Sequence, residues 1–484
     1  MPNDTLNQKN TYQARFPSYK PNGRSYCPLK IPYHQRLGTL SALIHCSSII
    51  LLPCLYFYLW TIEKFWPFLF IYTIYSYILD NTQSTGESIY RSSEWLRSAF
   101  IFEGFVEYFP ILTHRSVPLP PTIKKRFVTE VSFPNWTKGI PSILRSILKT
   151  FGIISKKVRN NENEEVVGPR YMFVCHPHGV ISFGITGSMC WGGENEVTDT
   201  IIEDGKILHS DSKQKINLSS LNSHTLKSSK SFKSLFPGIT CHLLTLPTQF
   251  MIPFYRDYIL ALGVGLVTKC GIMSILKRNH SVSIVVGGAH ESLYAKPGMN
   301  RIVLDRRKGF IKIALQNCNK AEQDLLLSEE EINAAIKSGS WSDSMSNMAI
   351  VPVYIYGENN IYNVYNTIEE VTNVNENNDK TTFFKTLLNF QLLLKKYTGF
   401  TIPLINSRSM LNYDFGVLPY KRRIDVVCGE PIYIYRKFGA SVSDAVTNKE
   451  IDYYHNLYKE KLLILWRKNK AFATEWDEDL QIVE

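Results

Sequence analysis

Tyr171-Met172-Phe173-Val174-Cys175-His176-Pro177-His178-Gly179 is the stretch whose interpretation decides the fold. Its apolar run, bounded by Pro169 and Gly179, predicts a short buried strand. Proline cannot donate to a ladder, so the strand stops at Pro177, and the residue before it is pushed toward extended geometry. His176 therefore falls at the carboxyl end of a strand, where α/β sheets build their sites. With a pKa near about 6.5, such a histidine is neutral at pH 7 and accepts a proton. As a general base it would contribute roughly 10²–10⁴-fold. Two other interpretations stay open on spacing alone. The histidines could ligate a metal, although no Cys, Asp or Glu follows at ligand spacing, or they could be a structural hydrogen-bonded pair.

Upstream the chain is built for a membrane. Residues 1–36 form a polar tail with six Lys/Arg and are expected to be disordered. Leu37 to Trp60 then runs for 24 residues without a charge, matching the roughly 20 residues of a spanning helix. Thr61, Glu63 and Lys64 break the run, and a second, shorter one extends from Phe65 to Leu79. Basic flanks and a short connection predict a transmembrane or re-entrant hairpin over 37–80 with both ends cytosolic. Residues 81–170 are expected to be an aromatic- and proline-rich linker, with a basic amphipathic helix around Ile140–Ile154. That helix lies either in the headgroup plane or on the protein core.

Composition narrows the partners. The net charge of +11 fits nucleic acid, an anionic membrane surface or a phosphorylated substrate. No nucleic-acid-binding motif is present, and membrane contact explains the charge equally well. Nine scattered cysteines without a CxxC pair predict reduced thiols facing the cytosol rather than a disulfide framework or zinc site.

Downstream motifs follow in order: Phe236-Pro237-Gly238, Tyr255-Arg256-Asp257-Tyr258, Gly287-Gly288-Ala289-His290-Glu291, Arg307-Lys308-Gly309-Phe310, Val351-Pro352-Val353, Gly357-Glu358, Phe400-Thr401-Ile402-Pro403 and Asn412-Tyr413-Asp414-Phe415-Gly416. With the His-Pro-His-Gly run and the hairpin, this series resembles the fungal branch of the diacylglycerol acyltransferase type 2 family over about residues 35–484. The resemblance implies an α/β fold: a membrane-anchored, glycerolipid-acyltransferase-like mixed sheet flanked by helices, with its acyltransferase domain over 171–484. It implies transfer of a fatty acyl group from acyl-CoA to diacylglycerol at the endoplasmic reticulum and lipid droplets. The partners are then acyl-CoA, diacylglycerol and membrane lipid, with no nucleic acid, no metal and no cofactor, in a chain that could be a homo-oligomer. Monoacylglycerol, a sterol or a long-chain alcohol are alternative acceptors, and a non-catalytic lipid-binding scaffold is the alternative role.

The resemblance carries the base to His176, with His178 as the neighbour that orients it or donates to the oxyanion, and Glu291 as the candidate carboxylate. Wider glycerolipid acyltransferases have an aspartate five residues after the histidine, and here that position is Ile181. Substrate contacts are expected from Pro177, Gly179, Arg256, Gly287, Gly288, Arg307, Lys308, Gly309, Lys312 and Glu358. The basic ones among them suit the phosphates of acyl-CoA.

Three insertions are expected at about 204–234, 319–347 and 371–380. The first, with nine Ser and six Lys, is expected to be a flexible loop. The second contains Ser328-x-x-Glu331, a capping box opening a short helix that ends by Gly339. Near the end, Ile451, Tyr454, Tyr458, Leu462 and Leu465 recur at helical spacing and predict a closing amphipathic helix.

Overall fold

A computed structural model describes residues 32–123, 131–132, 157–158, 168–209, 223–325, 327–342, 344–365, 379–398, 403–410 and 415–483. Most of the basic tail, the amphipathic helix near 140–154, most of the insertion at about 371–380 and the motifs at 400–402 and 412–414 lie outside the described residues.

Helix α1 spans Tyr33–Leu59. At 1.5 Å per residue it is about 40 Å long, enough to cross a hydrocarbon core of about 30 Å. Among the described residues it is the one helix long and apolar enough to do so. The second apolar run is a short helix, Trp66–Ile74, continued by a wider turn over Tyr75–Leu79. The two runs meet where Tyr56 and Thr73 share a hydrogen bond of 2.8 Å. Ile50, Leu51, Phe57, Phe68, Ile71 and Ile78 stay exposed on them, an apolar surface that water alone would not favour. Helix α2, Phe100–Tyr108, crosses α1 at small residues. A Cβ on Gly104 would stand 2.5 Å from the Ser41 hydroxyl oxygen and 3.1 Å from its Cβ, so a larger residue there would push the two helices or the Ser41 side chain aside.

The sheet begins with β1, Ile111–Arg115, and β2, Arg170–His176, after which the chain turns into helix α3, Phe183–Cys190. Next come β3 (Thr198–Glu203), β4 (Lys206–His209), β5 (His224–Ser229) and β6 (Cys241–Thr245). Helix α4 (Tyr255–Ala261), β7 (Gly265–Leu266), β8 (Ser281–Val285), α5 (Gly309–Asn317) and α6 (Glu329–Ser338) follow. The chain closes with β9 (Met348–Tyr356), β10 (Ile424–Cys428), β11 (Ile432–Tyr433) and α7 (Asn448–Lys468).

Eleven strands make one mixed sheet in the order β4-β3-β5-β1-β10-β9-β2-β8-β6-β7, with β11 on β9. β2 lies between two parallel neighbours, Met172 opposite Ile350 on one side and Val282 on the other. Flanked and covered in this way, it is apolar without interruption from Tyr171 to Cys175. Its side chains alternate between two cores. Tyr171, Phe173 and Cys175 join α2 and α3 on one face, while Met172 and Val174 join α5 and α7 on the other.

Residues 111–115, expected in a linker, form β1 beside β10 in the middle of the sheet. The first insertion is not a bare loop in its described parts. Residues 198–209 and 224–229 are an antiparallel extension beyond β1, because Thr200, Ile202, Leu226 and Ser228 share one buried face and give even this Ser/Lys-rich segment an inward side. The capping box of α6 and its Gly339 terminus are as expected, and so is the buried stripe of α7. The eight described cysteines are free.

Candidate active site

The His-Pro-His-Gly turn leaves the carboxyl end of β2 and enters α3, and the two histidines part company there. His176, still in the strand register opposite Tyr354, is fully buried on the α7 face, its ring 6.1 Å from that of Tyr458. Its Nδ1 is 3.5 Å from Glu291 Oε1, within ion-pair reach, yet neither ring nitrogen makes an aligned hydrogen bond. His178, two residues on, lines a cavity of about 260 Å³ on the opposite face of the sheet. The expected base thus sits behind the cavity wall and its expected helper sits on it.

Two buried carboxylates fix this turn. Glu291 accepts the backbone N–H of His178 at 2.6 Å and that of Val303 at 2.8 Å. It does not cap its own helix; it ties the turn after β8 to the turn after β2. Gly287 must be glycine, because a Cβ there would stand 1.9 Å from the Glu291 carboxyl carbon. Glu358 accepts the N–H groups of Phe183 and Gly184, each at 2.8 Å, and so caps the start of α3. Burial pushes the Glu358 carboxyl up to about 7 against the pull of those N–H donors. Gly179, at φ +59°, passes so close that a Cβ would stand 2.6 Å from Glu358 Cγ.

His178 has the electrostatics of a free base. Its Nδ1 is 3.1 Å from the Gly179 carbonyl, which can only accept, so the proton resides on Nδ1 and Nε2 is the basic nitrogen. Desolvation lowers its pKa, opposed by that carbonyl and by the Glu291 charge. Only half-buried, His178 faces an enclosed space rather than bulk water, and that is why desolvation prevails.

The structure brings together His176, Pro177, His178, Gly179, Gly287, Gly288, Glu291 and Glu358. It does not bring Arg307, Lys308, Gly309 and Lys312 to the cavity wall, where none of them is found. They are exposed at the start of α5, with Lys308 paired to Asp452 at 2.6 Å. Arg256 is fully buried in a dock between α4 and the second apolar run, 2.9 Å from Asp80. Arg91 joins that dock, 2.7 Å from Asp80 and 3.0 Å from Asp257, while the Tyr72 hydroxyl donates to Asp257 at 2.7 Å. Arg256 and Glu358 thus hold protein rather than substrate. Ile181, where a carboxylate would be expected, is an exposed aliphatic residue on the cavity rim. Among the described residues no cluster has the makings of a metal site.

Sequence reasoning missed two features. One is the share of α1 in the cavity wall: His45, Cys46, Ser48 and Ile49 all line it. The other is a Ser228–His114–Asp425 chain, linked at 2.7 and 2.8 Å. It has the order of a hydrolase triad, but all three side chains are buried on adjacent strands and none lines the cavity beside His178. The only hint of the first was a histidine inside an otherwise charge-free apolar run.

The diacylglycerol acyltransferase family model matches residues 217–326 and 335–483. The chain is 31% identical over 469 residues to diacylglycerol O-acyltransferase 1 of Saccharomyces cerevisiae, covering 97% of this chain and 91% of that one. The chain belongs to the diacylglycerol acyltransferase family. Diacylglycerol O-acyltransferase 2A of Umbelopsis ramanniana is 28% identical, over 95% of this chain and 94% of its own. A bovine 2-acylglycerol O-acyltransferase 1 is 27% identical, over 92% and 95%. No solved structure matches the chain. Membership makes this chain an acyltransferase.

Proposed function

We propose that this acyltransferase moves a fatty acyl group from acyl-CoA to the free hydroxyl of diacylglycerol, forming triacylglycerol, with His178 as general base. The observation that carries this role is the position of His178: on the cavity wall, with Nδ1 committed to the Gly179 carbonyl and a lowered pKa. Nε2 takes the hydroxyl proton as the alcohol oxygen attacks the thioester carbonyl. The C–S bond then breaks, the CoA thiolate leaves, and the imidazolium returns the proton to it as the free thiol. A thioester is already an activated donor, so holding the alcohol beside a neutral imidazole is most of the task. His176 and Glu291 are positioning residues in this scheme, since Glu291 holds the backbone of His178 itself.

We infer a membrane hairpin with cytosolic termini, in the endoplasmic reticulum membrane and on lipid droplets; the exposed apolar surface of α1 and of the Trp66–Leu79 run supports the membrane contact. The exposed basic residues at the start of α5 suit the phosphates of acyl-CoA arriving from the cytosolic side. Ile181, exposed on the cavity rim, gives an apolar acceptor a path from the bilayer.

Membranes containing the chain, supplied with labelled oleoyl-CoA and side by side with diacylglycerol, monoacylglycerol and hexadecanol, test the assignment. Triacylglycerol as the main product supports it. Diacylglycerol as the main product would make the chain act as the bovine relative is named, and wax ester would make it an alcohol acyltransferase.

A further inference from the structure

The cavity that His178 faces has a second polar side, and it comes from the membrane helix. His45 of α1 packs edge-on between the rings of Phe102 and Phe105, each 4.9 Å away. Leucine would fill that space and suit a charge-free helix better. An ionisable side chain kept within such a segment asks for a function. Its Nδ1 is hydrogen-bonded to the hydroxyl of Tyr258 on α4, across 213 positions of chain. Nε2 is buried and makes no aligned hydrogen bond. Both His45 and Tyr258 line the cavity.

The chemistry of this pair is set by the phenol. The Tyr258 hydroxyl makes no other hydrogen bond among the described residues; with its O–H donated to Nδ1, the imidazole proton is on Nε2. His45 is then a fixed donor where His178 is a fixed acceptor. Diacylglycerol brings one hydroxyl and two ester carbonyls into this space. The hydroxyl finds its acceptor at His178, while the carbonyls, which only accept, need donors once water is left behind. Much of the remaining wall is aliphatic: Ile49, Leu243, Leu246, Ile259, Leu262 and Val264.

We propose that His45, oriented by Tyr258, donates its Nε2–H to an ester carbonyl of the glyceride and is a specificity-determining residue for the acceptor. The membrane helix is then one wall of the acceptor subsite as well as an anchor. This rests on the acyl-transfer assignment above and adds a reason for the enzyme to prefer a diglyceride over a simple long-chain alcohol, which has no ester carbonyl. The Tyr-Arg-Asp-Tyr segment gains a role as well. Arg256 and Asp257 dock the second apolar run, and Tyr258 holds the first.

The full-length chain in proteoliposomes tests this with oleoyl-CoA as donor and either dioleoylglycerol or hexadecanol as acceptor. His45→Leu should raise the KM for dioleoylglycerol about tenfold, the worth of one hydrogen bond in a dry cavity. The KM for oleoyl-CoA should hold, and the preference for diglyceride over hexadecanol, as a ratio of kcat/KM, should fall by the same factor. His45→Gln, which keeps a donor, should recover part of the loss, and Tyr258→Phe should move the ratio in the His45→Leu direction by less. Equal losses on both acceptors, or an unchanged ratio in a folded His45→Gln and His45→Leu pair, would overturn the proposal. A wild-type chain inactive on every glyceride would sink the acyl-transfer assignment itself, whereas an active wild type with an unmoved ratio sinks only the role of His45.

Discussion

Gly179→Ala is the perturbation whose cost can be worked most closely from the structure. At φ +59° an L side chain pays about 1–2 kcal/mol for the left-handed backbone alone. The new Cβ would also stand 2.6 Å from Glu358 Cγ, where carbon atoms prefer about 3.5–4.0 Å. Glu358 must therefore retreat by about 1 Å. That weakens its bonds to the Phe183 and Gly184 N–H groups, each worth roughly 1–3 kcal/mol as hydrogen bonds whose loss leaves a buried group unpaired. The sum is about 2–5 kcal/mol, and the disturbance falls on the turn that carries His178. Thermal unfolding of the purified chain in micelles, with triacylglycerol formation measured on the same samples, should show a lower midpoint and most of the activity gone. Glu358→Ala removes the obstacle, so the double variant should be less destabilised than the sum of the two singles by about 1 kcal/mol or more. Wild-type unfolding and activity for Gly179→Ala, or strict additivity in the double variant, would refute the reasoning.

Three further outcomes follow from the same geometry. The acidic limb of the kcat/KM profile should have its midpoint below the ordinary histidine value of 6.5, because desolvation lowers the His178 pKa and the neutral imidazole persists to lower pH; a midpoint well above that value would remove His178 from the base role. Glu358, raised from 4.5 to about 7, keeps its proton in the fold when the unfolded chain has lost it, so its contribution to stability is full below about pH 4.5 and is lost as pH rises through about 7. The stability difference between wild type and Glu358→Gln, from unfolding midpoints at a series of pH values, should follow that course, and a difference independent of pH would contradict it. Asp80→Ala leaves the buried Arg91 and Arg256 with Asp257 as their one remaining carboxylate and should cost up to about 3–5 kcal/mol, seen as protease cleavage between the second apolar run and α4; unchanged protease resistance would show that the dock is dispensable.

Much of the centre of the fold was legible because its elements are locally self-sufficient. β2 and β8 are short apolar runs with clear stops, α7 has an unbroken helical stripe, and α6 announces itself by its capping box. The histidine pair was legible as a site but not as a division of labour. Which ring faces the cavity depends on how the turn after Pro177 is held, and it is held by Glu291 and Glu358 from 113 and 175 positions away in sequence. β1 escaped notice because five residues ending in His114 and Arg115 look like a linker until β10 pairs with them. Arg256 looked like a substrate contact because an isolated arginine in a motif carries no sign of its partner. Asp80, at the end of an apolar run, is that partner. His45 is the sharpest case: a single polar residue in the membrane helix whose meaning depends on Tyr258 and His178 sharing one cavity.

Chemical rescue of the two histidine variants tests the central claim most directly. His178→Ala opens space on the cavity wall, whereas His176→Ala leaves a hole sealed between the sheet and α7. With both variants at equal protein level, His178→Ala should lose roughly 10²–10⁴-fold in triacylglycerol formation. Added imidazole should restore part of that activity in His178→Ala and none in His176→Ala. Rescue of His176→Ala, or a His178→Ala chain that makes triacylglycerol at the wild-type rate, would contradict the account.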